Sequence, residues 1–141
     1  MKPTIYLFFK GNCFEAMTRY AEILGGMVQG VFRNADAPDA ESRMPGGDDM
    51  VMNMAIRLED MIVMGSDNSP DMYERPQGFA VTVEVPSLAE FERVHAALSE
   101  GAESVAMAPT ETFWAERFAM FRDRYSVPWM LSFTGSKGQG Q

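Results

Sequence analysis

Cysteine and histidine are almost missing from this chain, which carries a single example of each, Cys13 and His95. One cysteine excludes an internal disulfide and every CxxC metal or redox motif. One histidine excludes a His-rich zinc site. Positive charge is also scarce: 12 Lys and Arg stand against 20 Asp and Glu, for a formal net charge of −8, and no basic run exists. Phosphates are held by clustered Lys and Arg, so no nucleic-acid surface is expected. No apolar stretch approaches the roughly 18 residues that a membrane span needs. The opening Met1-Lys2-Pro3-Thr4-Ile5 is too short and too polar in its surroundings to act as a signal peptide. These absences point to a cytoplasmic chain with neither membrane nor nucleic acid as a partner.

Apolar residues are plentiful. They make up 46% of the 141 positions, enough for a core without staples. Thirteen are methionine, a flexible side chain that fills irregular gaps and lines adaptable pockets. Met50, Met52, Met54, Met61 and Met64 crowd two expected strands, so both uses stay open.

The order of elements follows from pattern and punctuation. Thr4–Phe9 has strand character. Asn12 and Glu15 have the spacing of a capping box, and Phe14, Met17, Ala21 and Leu24 continue at helical spacing until Gly25-Gly26. Met27–Arg33 reads as a strand, residues 34–49 as a long polar loop, and Met50–Leu58 with Met61–Gly65 as a hairpin across Glu59-Asp60. After a breaker-rich stretch the order returns. Phe79–Val85 is a strand, and Ser87 with Glu90 forms a second capping box for a helix through Leu98. Glu103–Met107 is a strand, and Phe113–Asp123 with Val127–Phe133 forms the last hairpin.

Asn12, Glu15, Tyr20, Ile23 and Gly26 precede Ser87, Glu90, His95, Leu98 and Gly101 at one constant spacing, so this is an internal repeat. The fold class is α+β, built from two βαβββ modules over residues 1–65 and 78–134. Residues 66–77 form the linker and 135–141 a disordered tail. One helix cannot cover its module's whole sheet, so a second module or a second chain is expected on the remaining surface.

Several motifs carry a family resemblance. They are Tyr6-Leu7-Phe8-Phe9-Lys10-Gly11-Asn12-Cys13 with Glu15-Ala16, Leu24-Gly25-Gly26, Met64-Gly65-Ser66-Asp67 and Gln77-Gly78-Phe79. The most specific are Glu111-Thr112-Phe113-Trp114-Ala115-Glu116-Arg117-Phe118 and Asp123-Arg124-Tyr125-Ser126-Val127-Pro128-Trp129-Met130. In these the chain resembles the vicinal-oxygen-chelate superfamily of glyoxalase I, extradiol dioxygenases and bleomycin-resistance proteins. It is most similar to the PhnB-like branch, over about residues 3 to 133. The resemblance implies a homodimer whose paired sheets enclose a cavity. In metal-using members, it implies a divalent ion held there by His and Glu of four strands. The four ligand positions fall near Ile5, at Val63 or Met64, at Phe79 and at Met130, where no side chain suits a hard cation. Asn53 stands where the PhnB-like branch often has histidine. No metal and no cofactor is therefore expected. PhnB-like domains sometimes carry the name of a ubiquinone-pathway methyltransferase, yet no glycine cluster here forms a GxGxxG or P-loop motif.

The cavity candidates for ligand binding are Phe8, Cys13, Asn53, Met64, Asp67, Phe79, Trp114, Glu116, Met120 and Trp129. Each has a plainer alternative. Cys13 at a helix start is a reactive thiol or a buried structural one. Asp67 borders a cavity mouth or caps a turn. Glu116 shares a strand face with Phe118 and Met120, or belongs to an exposed charged strand. Trp114 and Trp129 stack on a flat ligand or pack the core. His95 is an acid–base group or edges the helix–sheet interface. The leading reading is a metal-independent binder of a small apolar or aromatic molecule within a dimer cavity. A metal-dependent glyoxalase- or dioxygenase-type enzyme, with Glu116, Asp67 and Asn53 as non-standard ligands, stays open. So does a dimeric interaction module without a ligand.

Overall fold

The apolar run at the start of the chain becomes strand β1 (Ile5–Phe9), followed by α1 (Cys13–Leu24), β2 (Met27–Arg33), β3 (Val51–Leu58) and β4 (Met61–Asp67) in a computed structural model that describes residues 1–138. The second round gives β5 (Val81–Glu84), α2 (Leu88–Leu98), β6 (Ser104–Thr110), β7 (Arg117–Arg122) and β8 (Pro128–Phe133). The chain divides into two compact units, Met1–Glu74 and Arg75–Gln141.

Each unit is a four-stranded mixed sheet with one helix on it. The strand orders are β1-β4-β3-β2 and β5-β8-β7-β6, so the repeat read from the caps is a repeat of topology. In each, the first strand runs parallel to the fourth, and the other pairings are antiparallel. In the first unit Leu7, Phe9, Met54, Ile56 and Val63 are buried together with Met17, Tyr20 and Ala21 of α1. In the second, Ala119, Phe121, Trp129 and Leu131 are buried with Phe91, Val94 and Leu98 of α2. His95 edges that interface. It stacks on Phe91 at 6.0 Å and meets Phe121 edge-on at 5.5 Å, and its burial lowers its pKa.

The helix ends obey local chemistry unevenly. Gly25 closes α1 in the left-handed region at φ 74°, where a Cβ would be strained. Ser87 caps α2, its hydroxyl accepting from the Glu90 amide at 3.1 Å. The expected box at Asn12 and Glu15 does not form, because the Asn12 side chain makes no capping bond. The carboxylate of Asp67, 54 residues further on, accepts from the amide of Cys13 instead, a long-range contact that local spacing does not reveal.

Other boundaries differ from the pattern. β4 runs through Asp67, two residues past the expected end at Gly65. β7 begins at Arg117, and the residues before it form a turn in which the Thr112 hydroxyl accepts from the Ala115 amide at 3.0 Å. β5 begins at Val81, leaving Phe79 and Ala80 in the preceding segment. The loop 34–49 is built around Asn34, whose buried side chain donates to the carbonyls of Met44 and Gly47 at 3.0 Å and accepts from the Met44 amide at 3.1 Å. The tail is not disordered from its start: Gly135–Lys137 forms a 3-10 turn, with the Ser136 amide on the Glu116 carboxylate at 2.6 Å. Residues 139–141 of that expected tail lie outside the described residues.

Candidate functional site

Strand alternation gives each sheet one face covered by its helix and one that is not. On the uncovered face of the first unit, Tyr6 and Phe8 of β1 stand beside Met64 of β4, then Ala55 and Asn53 of β3, then Phe32 of β2. Phe8 and Phe32 are 45% and 44% exposed, too much for core residues of their size. Tyr6 and Phe8 are ring neighbours at 5.0 Å. Asn53 donates from Nδ2 to the Tyr6 hydroxyl at 3.1 Å and places one polar pair on this apolar surface. A concavity of about 390 Å³ lies over Phe32, Asn53 and Ala55. Phe8, Asn53 and Met64 therefore share a face, as candidates for one site should.

Cys13 and Asp67 belong to the opposite, helix-covered side. Asp67 is buried. Its Oδ1 accepts from the amides of Gly11 and Cys13, both at 2.9 Å, and its Oδ2 accepts from the amide of Val51 at 3.0 Å. One carboxylate thus holds the ends of β1, α1 and β3. Cys13 is fully buried against Met17 and Gly65, and burial first, then the neighbouring Asp67 charge, pushes its thiol pKa up. Such a thiol is not a ready nucleophile.

In the second unit, Phe79, Met120 and Trp129 border one concavity of about 220 Å³. Trp129 is otherwise core: its indole N–H donates to Asp123 Oδ2 at 2.8 Å, and Asp123 Oδ1 accepts from the amides of Tyr125 and Val127. Trp114 lies outside this group. It is 42% exposed and packs edge-on against Phe118 at 5.4 Å and Phe113 at 4.8 Å. Glu116 precedes β7 and is engaged by the Ser136 amide.

The sequence reading singled out neither Tyr6 nor Phe32, and Arg122 and Asp123 entered it only as members, with Glu111, Glu116 and Arg117, of a charged group around Trp114. Alternation from Phe8 and Met120 could have found Tyr6 and Arg122. No local signal distinguishes Asp123 from an ordinary turn residue.

The model of the family described as 3-demethylubiquinone-9 3-methyltransferase matches residues 1–132. The chain belongs to this family. Protein PA1353 from Pseudomonas aeruginosa has 37% identical residues and a TM-score of 0.84, over 94% of this chain and 97% of that one. A PhnB protein from Bacillus cereus, at 20% identity, gives a TM-score of 0.81 over 94% and 99%. The likeness of fold extends to a glyoxylase/bleomycin resistance protein/dioxygenase domain from Frankia sp. EAN1pec. That domain has 14% identity and a TM-score of 0.60, over 95% and 97%. The fold is thus that of the glyoxalase/bleomycin-resistance class, and the chain is PhnB-like.

Two groups implied by these relationships can be set against the residues present. A divalent ion needs convergent oxygen or nitrogen donors. Ile5, Val63, Met64, Phe79 and Met130 supply none, and among the described residues no three His, Cys, Asp or Glu side chains gather to hold a metal. Asp67 and Asn53, weighed as non-standard ligands, lie on opposite sides of one sheet. The residues do not fit the ion. The family name implies a methyl donor bearing a nucleoside. Such groups often seat their polar ends on free amides where a strand turns into a helix. At the β1–α1 turn two of those amides, on Gly11 and Cys13, are taken by Asp67, so this turn does not fit the donor either. No helix among the described residues is long and apolar enough to cross a membrane.

Proposed function

We propose that this PhnB-like protein binds a small apolar or aromatic molecule, without a metal, on the helix-free sheet faces inside a homodimer. One observation carries the reading. Tyr6, Phe8, Met64 and Phe32 form an apolar face that the unit's own helix does not cover, with a single polar pair, Asn53 and Tyr6, set into it. Small-molecule sites have this composition, apolar walls with a few placed polar groups. Part of that face is a concavity over Phe32, Asn53 and Ala55, and burying it against a second copy would enclose the ligand. The lack of hard donors at the superfamily's ligand positions supports binding over metal-assisted chemistry.

The test combines native mass spectrometry with calorimetry against a panel of neutral aromatic compounds. The expected outcome is the mass of two 15.7 kDa chains and binding that Phe8→Ala weakens about tenfold or more while the fold is kept. A monomer that binds nothing in the panel would defeat the reading.

A further inference from the structure

Arg122 ends β7 on the same face as Met120, and among the described residues its side chain hydrogen-bonds to neutral partners only. Its Nη1 donates to the carbonyl of Pro76 and, at 2.8 Å, to that of Ser126. It forms no ion pair within 4.0 Å among the described residues, although it is only partly exposed. Its charge reaches the carboxylate of Glu103, which is already engaged by the Ser126 hydroxyl at 2.5 Å and by Arg75 at 2.8 Å. Glu103 is thus paired with Arg75 and not with Arg122, in a chain of net charge −8. A half-withdrawn cation answered only by carbonyls retains a strong preference for an anion, and guanidinium matches a carboxylate with two parallel bonds.

Arg122 also borders the concavity of about 220 Å³ whose other walls include Phe79, Ala106, Met120, Pro128 and Trp129. The bond from Arg122 to Pro76 and the Arg75–Glu103 pair tie the segment before β5 to the sheet, and Phe79 of that segment lines the cleft. The volume is below the roughly 300 Å³ at which drug-sized pockets begin, which suits one ring and not two.

From these observations we infer that the second unit takes a single-ring aromatic carboxylate, its ring against Phe79 and Met120 and its acid group on Arg122. This rests on the binding reading above and gives it a substrate class and a second location. The probes are benzoate and benzyl alcohol, which share the ring and differ in charge. Calorimetry is run on the full chain and on two variants. Arg122→Gln removes the charge. Ala106→Phe fills the cleft from exposed β6 and leaves the arginine in place, so it remains informative if Arg122→Gln unfolds.

Benzoate is expected to bind the wild type at least about tenfold more tightly than benzyl alcohol, and to lose about tenfold or more in either variant. Arg122→Gln should weaken benzyl alcohol far less than benzoate, while Ala106→Phe should weaken both. Equal binding of the two probes, or benzoate binding untouched by Ala106→Phe, would overturn the assignment. Benzoate binding that is sensitive to Phe8→Ala and indifferent to Ala106→Phe would also sink this cleft, while leaving the broader binding reading intact. If no aromatic probe of either charge binds, both fall.

Discussion

At the scale of single residues, two buried aspartates, Asp67 and Asp123, organise the units, and the sequence marks only Asp67, as a cavity or turn residue rather than as framework. Asp67 accepts three backbone amides from three elements. Removing its carboxylate strands those buried donors at about 1–3 kcal/mol each, partly offset by water entering the gap. Asp67→Ala is therefore expected to lose about 3 kcal/mol or more in urea unfolding, whereas a turn-capping role alone would cost about 1 kcal/mol. Cys13 is a second residue-scale test. Its folded pKa is raised, so the native thiol keeps its proton when an unfolded thiol, with pKa about 8.5, has lost it. The unfolded state then binds fewer protons and stability falls as pH rises above about 8.5. Native protein is expected to resist alkylation at pH 8 and to react once unfolded. Cys13→Ala should flatten the alkaline decline in stability. Rapid labelling of the native protein would show the thiol to be accessible after all.

At the scale of elements, the two helices began with the same sequence signature and ended with different caps. Ser87 forms its capping bond, while Asn12 surrenders the role to Asp67. Ser87→Ala should cost about 1 kcal/mol of stability, and Asn12→Ala no more than a few tenths. Equal losses in thermal or urea unfolding would mean that Asn12 caps after all. The strands were legible where alternation was strong, as in Met50–Leu58 against the observed Val51–Leu58. They were less so where aromatics extended the apparent run. Phe113 and Trp114 read as strand, yet they sit in a turn secured by Thr112, because a hydroxyl can hold a backbone turn that hydrophobic pattern ignores. Loop 34–49 looked featureless for a related reason: its organiser, Asn34, is one polar side chain whose partners lie ten to thirteen residues away.

At the scale of the whole molecule, composition, caps and periodicity by themselves determined that two βαβββ rounds exist and that the class is α+β. Those properties depend on short-range sterics and on burial of alternating apolar positions, which are written locally. Family motifs extended this to the PhnB-like branch, and the match over residues 1–132 agrees. The candidate site was legible in its membership but not in its grouping. Phe8, Asn53 and Met64 come from three strands, and only their register puts them on one face. Cys13 and Asp67 were drawn from the family motifs too, yet Cys13 begins α1 and the pleat of β4 turns Asp67 to the helix side, where burial and amide bonds make them framework. Arg122 was one charge among several around Trp114 in the sequence. Tertiary structure alone decided that it borders a cleft whose described lining residues include no carboxylate, because which charges meet depends on strand pairing between residues far apart in the chain.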